Sequence, residues 1–295
     1  MKAATKPPFT VRQTSPGAIR IEIPISKSIG WEQWFLLRSD VHWDNPKCRR
    51  DMELRHLQQA KERNAGIIDA GDLFCAMQGK YDKRSDKRSI RPEHCEGEYI
   101  ASLYRTAAEY YRPYAHHFVL IGQGNHETAI YKNHEFNLTA HLVERLNTLT
   151  GSEILVGGYT GWIKFAFDYH GRRTSKNLWY THGYAGGGPV TKDTIQLHRQ
   201  MTYIENADFV MSGHTHDAWQ MEYTRLRLTD AGVVERRPAI GVKCPTYKDE
   251  YGVGEGGFAV EKGHPPKPLG AWWLRFTCKH TGNETDILAD VIRAT

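Results

Sequence analysis

Between Trp34 and His216, short apolar runs repeatedly stop at glycine, aspartate or histidine. Trp34-Phe35-Leu36-Leu37 runs into Ser39-Asp40-Val41-His42, and Ile67-Ile68 runs into Asp69-Ala70-Gly71-Asp72. Phe118-Val119-Leu120-Ile121 leads to Gly124-Asn125-His126-Glu127. Leu178-Trp179-Tyr180 leads to Thr181-His182-Gly183, and Phe209-Val210-Met211 to Gly213-His214-Thr215-His216. Each run has the length of a buried strand rather than a helix. Glycine lets the backbone turn sharply where such a strand ends. In open α/β sheets, loops at the carboxyl ends of strands are where ligands are held.

The rest of the pattern alternates strand and helix. Ile19 to Ile25 alternates apolar and polar residues and predicts a strand. Asp44-Asn45-Pro46 predicts a helix start, with proline suited to the first helical position, and the helix runs to about Asn64. Helical spacing recurs in Ile100, Leu103, Tyr104, Ala107, Ala108 and Tyr111, and again in Leu138, Leu142, Leu146 and Leu149. His134 reads as a helix-start residue. Ile154 to Tyr169 predicts strands around Gly157-Gly158. Thr191 to Ala207 predicts a helix with Leu197, Met201 and Ile204 on one face. Beyond His216 the pattern turns strand-like, as in Trp219 to Leu228 and Ala271 to Cys278. Alternation up to His216 argues for parallel pairing with right-handed crossovers. The strand-rich tail predicts a second sheet packed on the first. No linker divides the chain, so residues 18–295 read as a single domain behind a loose arm, 1–17, marked by Pro7, Pro8 and Pro16.

Composition narrows the setting. The 295 residues are 25% charged and 40% hydrophobic, ordinary for a soluble globular protein. No apolar run is long enough to cross a membrane as a helix. Met1 to Arg20 lacks the apolar middle of a signal peptide. The five cysteines are scattered, without paired metal spacing or a disulfide framework, so a reducing cytoplasm is expected. A net charge of +5 is compatible with a polyanionic substrate without requiring one.

The order Asp-x-His, Gly-Asp, Gly-Asn-His-Glu, His-Gly and Gly-His-x-His, from Asp40 to His216, resembles the calcineurin-like metallophosphoesterase superfamily. That resemblance implies a four-layer αββα sandwich, two mixed β-sheets flanked by helices. It implies two divalent metal ions and hydrolysis of phosphate esters by a metal-bound hydroxide. Asp40, His42, Asp72 and His216 would bind one ion. Asp72, Asn125, His182 and His214 would bind the other, with Asp72 bridging. His126 would not be a ligand; with Asp72 it would be catalytic, protonating the leaving oxygen or stabilising the transition state. A nitrogen and oxygen donor set without thiolate favours Mn, with Fe, Zn or Ni also suited.

Departures and inserts bear on the substrate. Cys75 stands three residues after Asp72, where the purple acid phosphatases carry a ligand Tyr, so that branch does not fit. The Gly-Asp-x-x-Asp-Arg-Gly pattern of the Ser/Thr protein phosphatases is missing. Gly71-Asp72-Leu73-Phe74 is similar to the second motif of the DNA-repair nucleases in the superfamily. An insert near 78–98 is rich in basic residues, among them Lys83, Arg84, Lys87 and Arg88, which read either as phosphate-backbone contacts or as a solvated run. Tyr184, in the glycine-rich stretch after His182, is a further candidate substrate contact. His94 and Cys95 read as solvent-facing. The expectation is a phosphodiesterase acting on a phosphate ester such as DNA or RNA, with a phosphomonoesterase or small-nucleotide hydrolase as the alternative. A catalytically silent scaffold fits less well, because every expected ligand position is filled.

Overall fold

Strand β3 (Glu32–Arg38) shows how the layers arise. Phe35 and Leu37 point into a core between two sheets, whereas Leu36 points the other way, toward helices. This period-two sorting lets one strand serve two cores. The structure, a computed structural model, describes residues 6–27, 29–76, 90–95, 98–184, 186, 188, 190–252, 258–281 and 284–295.

The chain continues through α1 (Arg50–Glu62), β4 (Gly66–Asp69), α2 (Tyr99–Tyr111), β5 (Phe118–Ile121), α3 (Asn125–His134), α4 (Leu138–Thr150) and β6 (Leu155–Val156). β3, β4, β5 and β6 pair in parallel. Helices α1, α2 and α4 cover their outer face through Leu57, Leu103, Ala107, Tyr111, Leu142 and Leu146. The second sheet holds β1 (Thr10–Ser15), β2 (Ala18–Pro24), β7 (Thr160–Tyr169), β8 (Arg172–Thr181), β9 (Phe209–Ser212), β10 (Trp219–Leu228) and β11 (Val234–Lys243). Its outer face carries α5 (Thr194–Tyr203), packed through Leu197 and Met201 on Trp179, Val210 and Ala239. Ile21, Phe35, Phe165, Phe209, Met211 and Phe276 fill the space between the sheets. The result is the expected layered α/β sandwich of two mixed sheets flanked by helices.

Several expectations are corrected. Thr10–Ser15, expected within the loose arm, forms β1 and pairs antiparallel with β2. It is an exposed edge strand, so it needs no apolar alternation and leaves little trace in the sequence. The first long helix begins at Arg50, not at Asp44-Asn45-Pro46. The Asp44 carboxylate instead accepts from the Cys75 and Ala76 N–H groups, and Asn45 Oδ1 accepts from Lys47 N–H. The tail does not build a sheet of its own. β10 and β11 complete the β7–β9 sheet, while β12 (Ala271–Thr281) and β13 (Glu284–Ala294) extend the other by antiparallel pairing of β12 with β3. His134 ends α3 rather than starting a helix. His94 is 2% exposed, not solvent-facing, with its ring 5.7 Å from Trp43.

Candidate metal centre

The strand ends are laced together before any side chain takes part. Asp40 N–H donates to the Gly71 carbonyl, His42 N–H to that of Asp72, Gly122 N–H to that of Asp69, and Gly213 N–H to that of His182. Asp40, His42, Asp72, His214 and His216 all adopt left-handed backbone, with φ of 55°, 50°, 53°, 75° and 60°. Asp and His tolerate this region better than bulky or branched residues, and such conformations cluster where a site over-determines them. Two glycines permit the close approach. A Cβ on Gly124 would lie 2.0 Å from Asp72 Oδ1, and one on Gly213 2.0 Å from Ser39 Oγ.

These loops bring all the sequence-nominated donors into one region, as two neighbouring clusters able to hold metal ions. Asp40, His42 and His216 present ligand atoms within 4.8 Å of one another, and so do Asp72, His182 and His214. In the first, His216 Nε2 lies 3.2 Å from Asp40 Oδ1 and 3.2 Å from His42 Nε2. In the second, His182 Nε2 lies 3.1 Å from Asp72 Oδ2, and Asn125 Oδ1 sits 3.1 Å from His182 Nε2 and 2.8 Å from His214 Nδ1. Asp40 Oδ1 is fully buried yet accepts no hydrogen bond among the described residues. Unsatisfied oxygen beside converging ring nitrogens is a donor set that a divalent cation fits.

Charge and hydrogen bonding tune these donors. Burial opposes charge on Asp72, but His182 and His126 more than offset it and hold the carboxyl well below the usual carboxylate range. Burial likewise opposes charge on Asp40, and His182 and His216 bring its carboxyl down. Burial, then His126 and His216, push the His42 imidazole far down, leaving it neutral as ligation requires. Burial also opposes a proton on His182, yet Asp72 and Asp40 push it up to about 9. The His182 ring is oriented by Nδ1 meeting the Ala70 carbonyl at 3.2 Å, which leaves Nε2 for the cluster. Asp40 Oδ2 accepts from His214 N–H at 2.8 Å. Glu127 takes N–H groups of Asp72 and Gly124 on Oε2 and that of Phe74 on Oε1, closing the first turn of α3 onto the Asp72 loop.

His126 is placed differently. Its backbone N–H donates to Asp72 Oδ1 at 2.9 Å, and its Nδ1 meets the Cys75 carbonyl oxygen. Its Nε2 lies 3.7 Å from Asp72 Oδ2, at 9% residue exposure. Tyr184 is 45% exposed and follows Gly183 at the end of the His182 loop. Lys83, Arg84, Lys87 and Arg88 lie outside the described residues. Ala76 and Arg91 flank that stretch and are both tied to the loop after His42. Ala76 N–H donates to Asp44, and the Arg91 guanidinium donates to the Asn45 and Cys48 carbonyls.

Sequence reasoning missed a supporting cation. Arg38, completely buried at the end of β3, pairs with Glu53 Oε1 and Asp69 Oδ2, each at 2.7 Å. Asp69 Oδ1 also accepts from Gly71 N–H at 3.0 Å. The signal was a charged residue closing an apolar run. Among the described residues, no helix is long and apolar enough to cross a membrane.

No family model matches the chain, and no curated protein matches it. Solved structures do. One is vacuolar protein sorting 29 from Cryptosporidium parvum, 11% identical, with a TM-score of 0.37 over 90% of this chain and 100% of that one. Similarity at that level leaves the functional reading to the site's own geometry.

Proposed function

We propose that this chain is a binuclear metal-dependent phosphoesterase of the calcineurin-like kind, acting on phosphodiesters. The observation that carries the reading is the pair of clusters, Asp40-His42-His216 and Asp72-His182-His214, side by side at parallel strand ends. Asp40, His42, Asp72 and His216 would hold one ion, and Asp72, Asn125, His182 and His214 the other. The nitrogen and oxygen donors suit Mn. Two bound divalent cations would supply neutralisation of the phosphoryl oxygens and a more acidic water.

The chain's own residues do the rest. Asp72 faces His182 through Oδ2 and receives His126 N–H on Oδ1, so a single carboxylate aligns the second cluster with the start of α3. The Cys75 carbonyl accepts from His126 Nδ1–H and fixes the ring, so that in its imidazolium form the second proton, on Nε2, would pass to the departing oxygen and leave the neutral ring. A diester is favoured by the basic residues Lys83, Arg84, Lys87 and Arg88 in the sequence between Ala76 and Arg91, two residues that are themselves tied to the loop following His42. DNA or RNA is the substrate class such a stretch would attract, in a salt-sensitive manner. Tyr184 is a candidate base or ester contact at the other flank.

The test is hydrolysis of an aryl phosphodiester and the matching monoester by metal-stripped protein before and after Mn is restored. The diester should be preferred, and turnover should need the metal. A monoester preference would replace this reading with a phosphatase.

A further inference from the structure

The Cys75 carbonyl holds the His126 ring, but the Cys75 thiol has no part in phosphoester hydrolysis. That thiol has imidazole neighbours. Cys75 Sγ and ring nitrogens of His42 and His126 all lie within 4.8 Å of one another. They come from three strand ends: His42 follows β3, Cys75 follows β4, and His126 stands in the first turn of α3 after β5. Cys75 is 3% exposed and His42 2%. Sequence spacing could not show this group, because its one sulfur donor finds its nitrogen donors only across the fold.

The three donors are held in place. Cys75 N–H donates to Asp44 Oδ1 and the Cys75 carbonyl accepts from His126 Nδ1, so the backbone on both sides of the thiol is fixed. Asn45 Nδ2 donates to Cys75 Sγ at 3.4 Å and orients the sulfur. With its Nδ1 proton given to Cys75, the neutral His126 ring carries its lone pair on Nε2. The His42 and His126 rings meet edge to face, with centroids 5.0 Å apart. His42 Nδ1 is buried without a hydrogen-bond partner among the described residues, whereas His182 Nδ1 meets the Ala70 carbonyl. No such contact commits the His42 ring to the first cluster. Zinc bonds of about 2.3 Å to sulfur and 2.0–2.1 Å to imidazole set tetrahedral donors about 3.3–3.6 Å apart. A spread of at most 4.8 Å is within a small contraction of that. One thiolate with two imidazoles selects zinc or cadmium over Mn.

We propose that His42, Cys75 and His126 form a third cation site, bearing a thiolate and taking zinc-like ions, whose occupation switches the enzyme off. Binding there breaks the Cys75 S–H bond, forms a sulfur–metal bond and releases the proton to water. The same ion takes the His126 Nε2 lone pair, so the ring no longer carries a proton to the departing oxygen. It also draws His42 away from the first cluster. The site stands apart from the phosphoesterase reading, while its inhibitory effect rests on that reading.

Cadmium is the probe, because a thiolate bound to it gives an ultraviolet charge-transfer band that nitrogen and oxygen ligands do not. Mn-loaded protein carrying Cys95→Ser, which removes the exposed thiol, is titrated with Cd in the presence and absence of Cys75→Ser. The band should saturate at about one Cd per chain and should be lost with Cys75→Ser. If that variant does not fold, Cys75→Ala takes its place. Diester turnover at saturating Cd should fall about a hundredfold from the Mn-only rate, the share of a general acid. With Cys75→Ser the fall, relative to that protein's own Mn-only rate, should be much smaller. Absence of the band, or the same band with Cys75→Ser, would overturn the site. A full band with undiminished turnover would overturn the switch. A full band in protein that hydrolyses neither ester with Mn keeps the cation site and removes the phosphoesterase reading, and the inhibition with it.

Discussion

The two sheets meet at the site but bring unlike chemistry to it. The β3–β6 side supplies Asp40, His42, Asp72 and Asn125, which include every carboxylate of the two clusters, while the β7–β11 side supplies three imidazoles, His182, His214 and His216. Each side rests on one buried cation at a strand end. Behind the carboxylates, Arg38 is shared between Glu53 and Asp69 and so ties the Asp40 loop to the Asp72 loop. Behind the imidazoles, Lys243 meets Asp193 and Ser212, joining the end of β11 to the His214 loop and to the start of α5. Neither sheet alone holds a complete donor set. A cation held at either cluster would therefore fasten one sheet to the other, and metal binding would double as a tertiary contact.

Substitutions on each side separate these roles. Asp72→Asn removes the carboxylate that faces the imidazoles and should lower turnover on either ester by about a thousandfold or more. Wild-type rates in that variant would end the two-ion scheme. His126→Ala should cost about 10²- to 10⁴-fold in turnover while elemental analysis shows unchanged metal. Metal loss there would make His126 a ligand instead. Arg38→Met leaves Glu53 and Asp69 buried without their cation and should destabilise the fold by about 3–5 kcal/mol in denaturant unfolding. A change under about 1 kcal/mol would show that Arg38 is no keystone. Restoring Mn to stripped protein at about a hundredfold over its Kd should add about 2.7 kcal/mol of stability per site, as expected if the cation joins the sheets.

A separate effect is a pH dependence remote from the centre. His56 is buried, with Nδ1 2.8 Å from the Tyr247 hydroxyl, and burial lowers its pKa to about 4. A lowered folded-state value means stability is fully present above the unfolded value of 6.5 and is lost as pH falls toward 4. Denaturant midpoints measured across that window should fall less steeply in His56→Gln. An identical slope in both proteins would show that His56 contributes nothing to acid sensitivity.

What the sequence made legible was local. Apolar runs ending at Gly71-Asp72, Gly124-Asn125 or Gly213-His214 announce themselves because burial and sharp turning leave residue-level marks. β1 left none, being polar and exposed on an edge. The sharing of tail strands between the sheets was also invisible, since β12 pairs with β3 across most of the chain and no local pattern encodes that partner. Asp44 looked like a helix start because its residue type suits a cap, and only the fold shows its oxygens turned to Cys75 and Ala76.

The most direct test of the shared centre is Mn content by elemental analysis of reconstituted, buffer-exchanged protein, wild type beside Asp72→Asn. The account predicts about two ions per chain in the wild type and fewer in the variant. One ion or none in the wild type, or an unchanged content in Asp72→Asn, would contradict it.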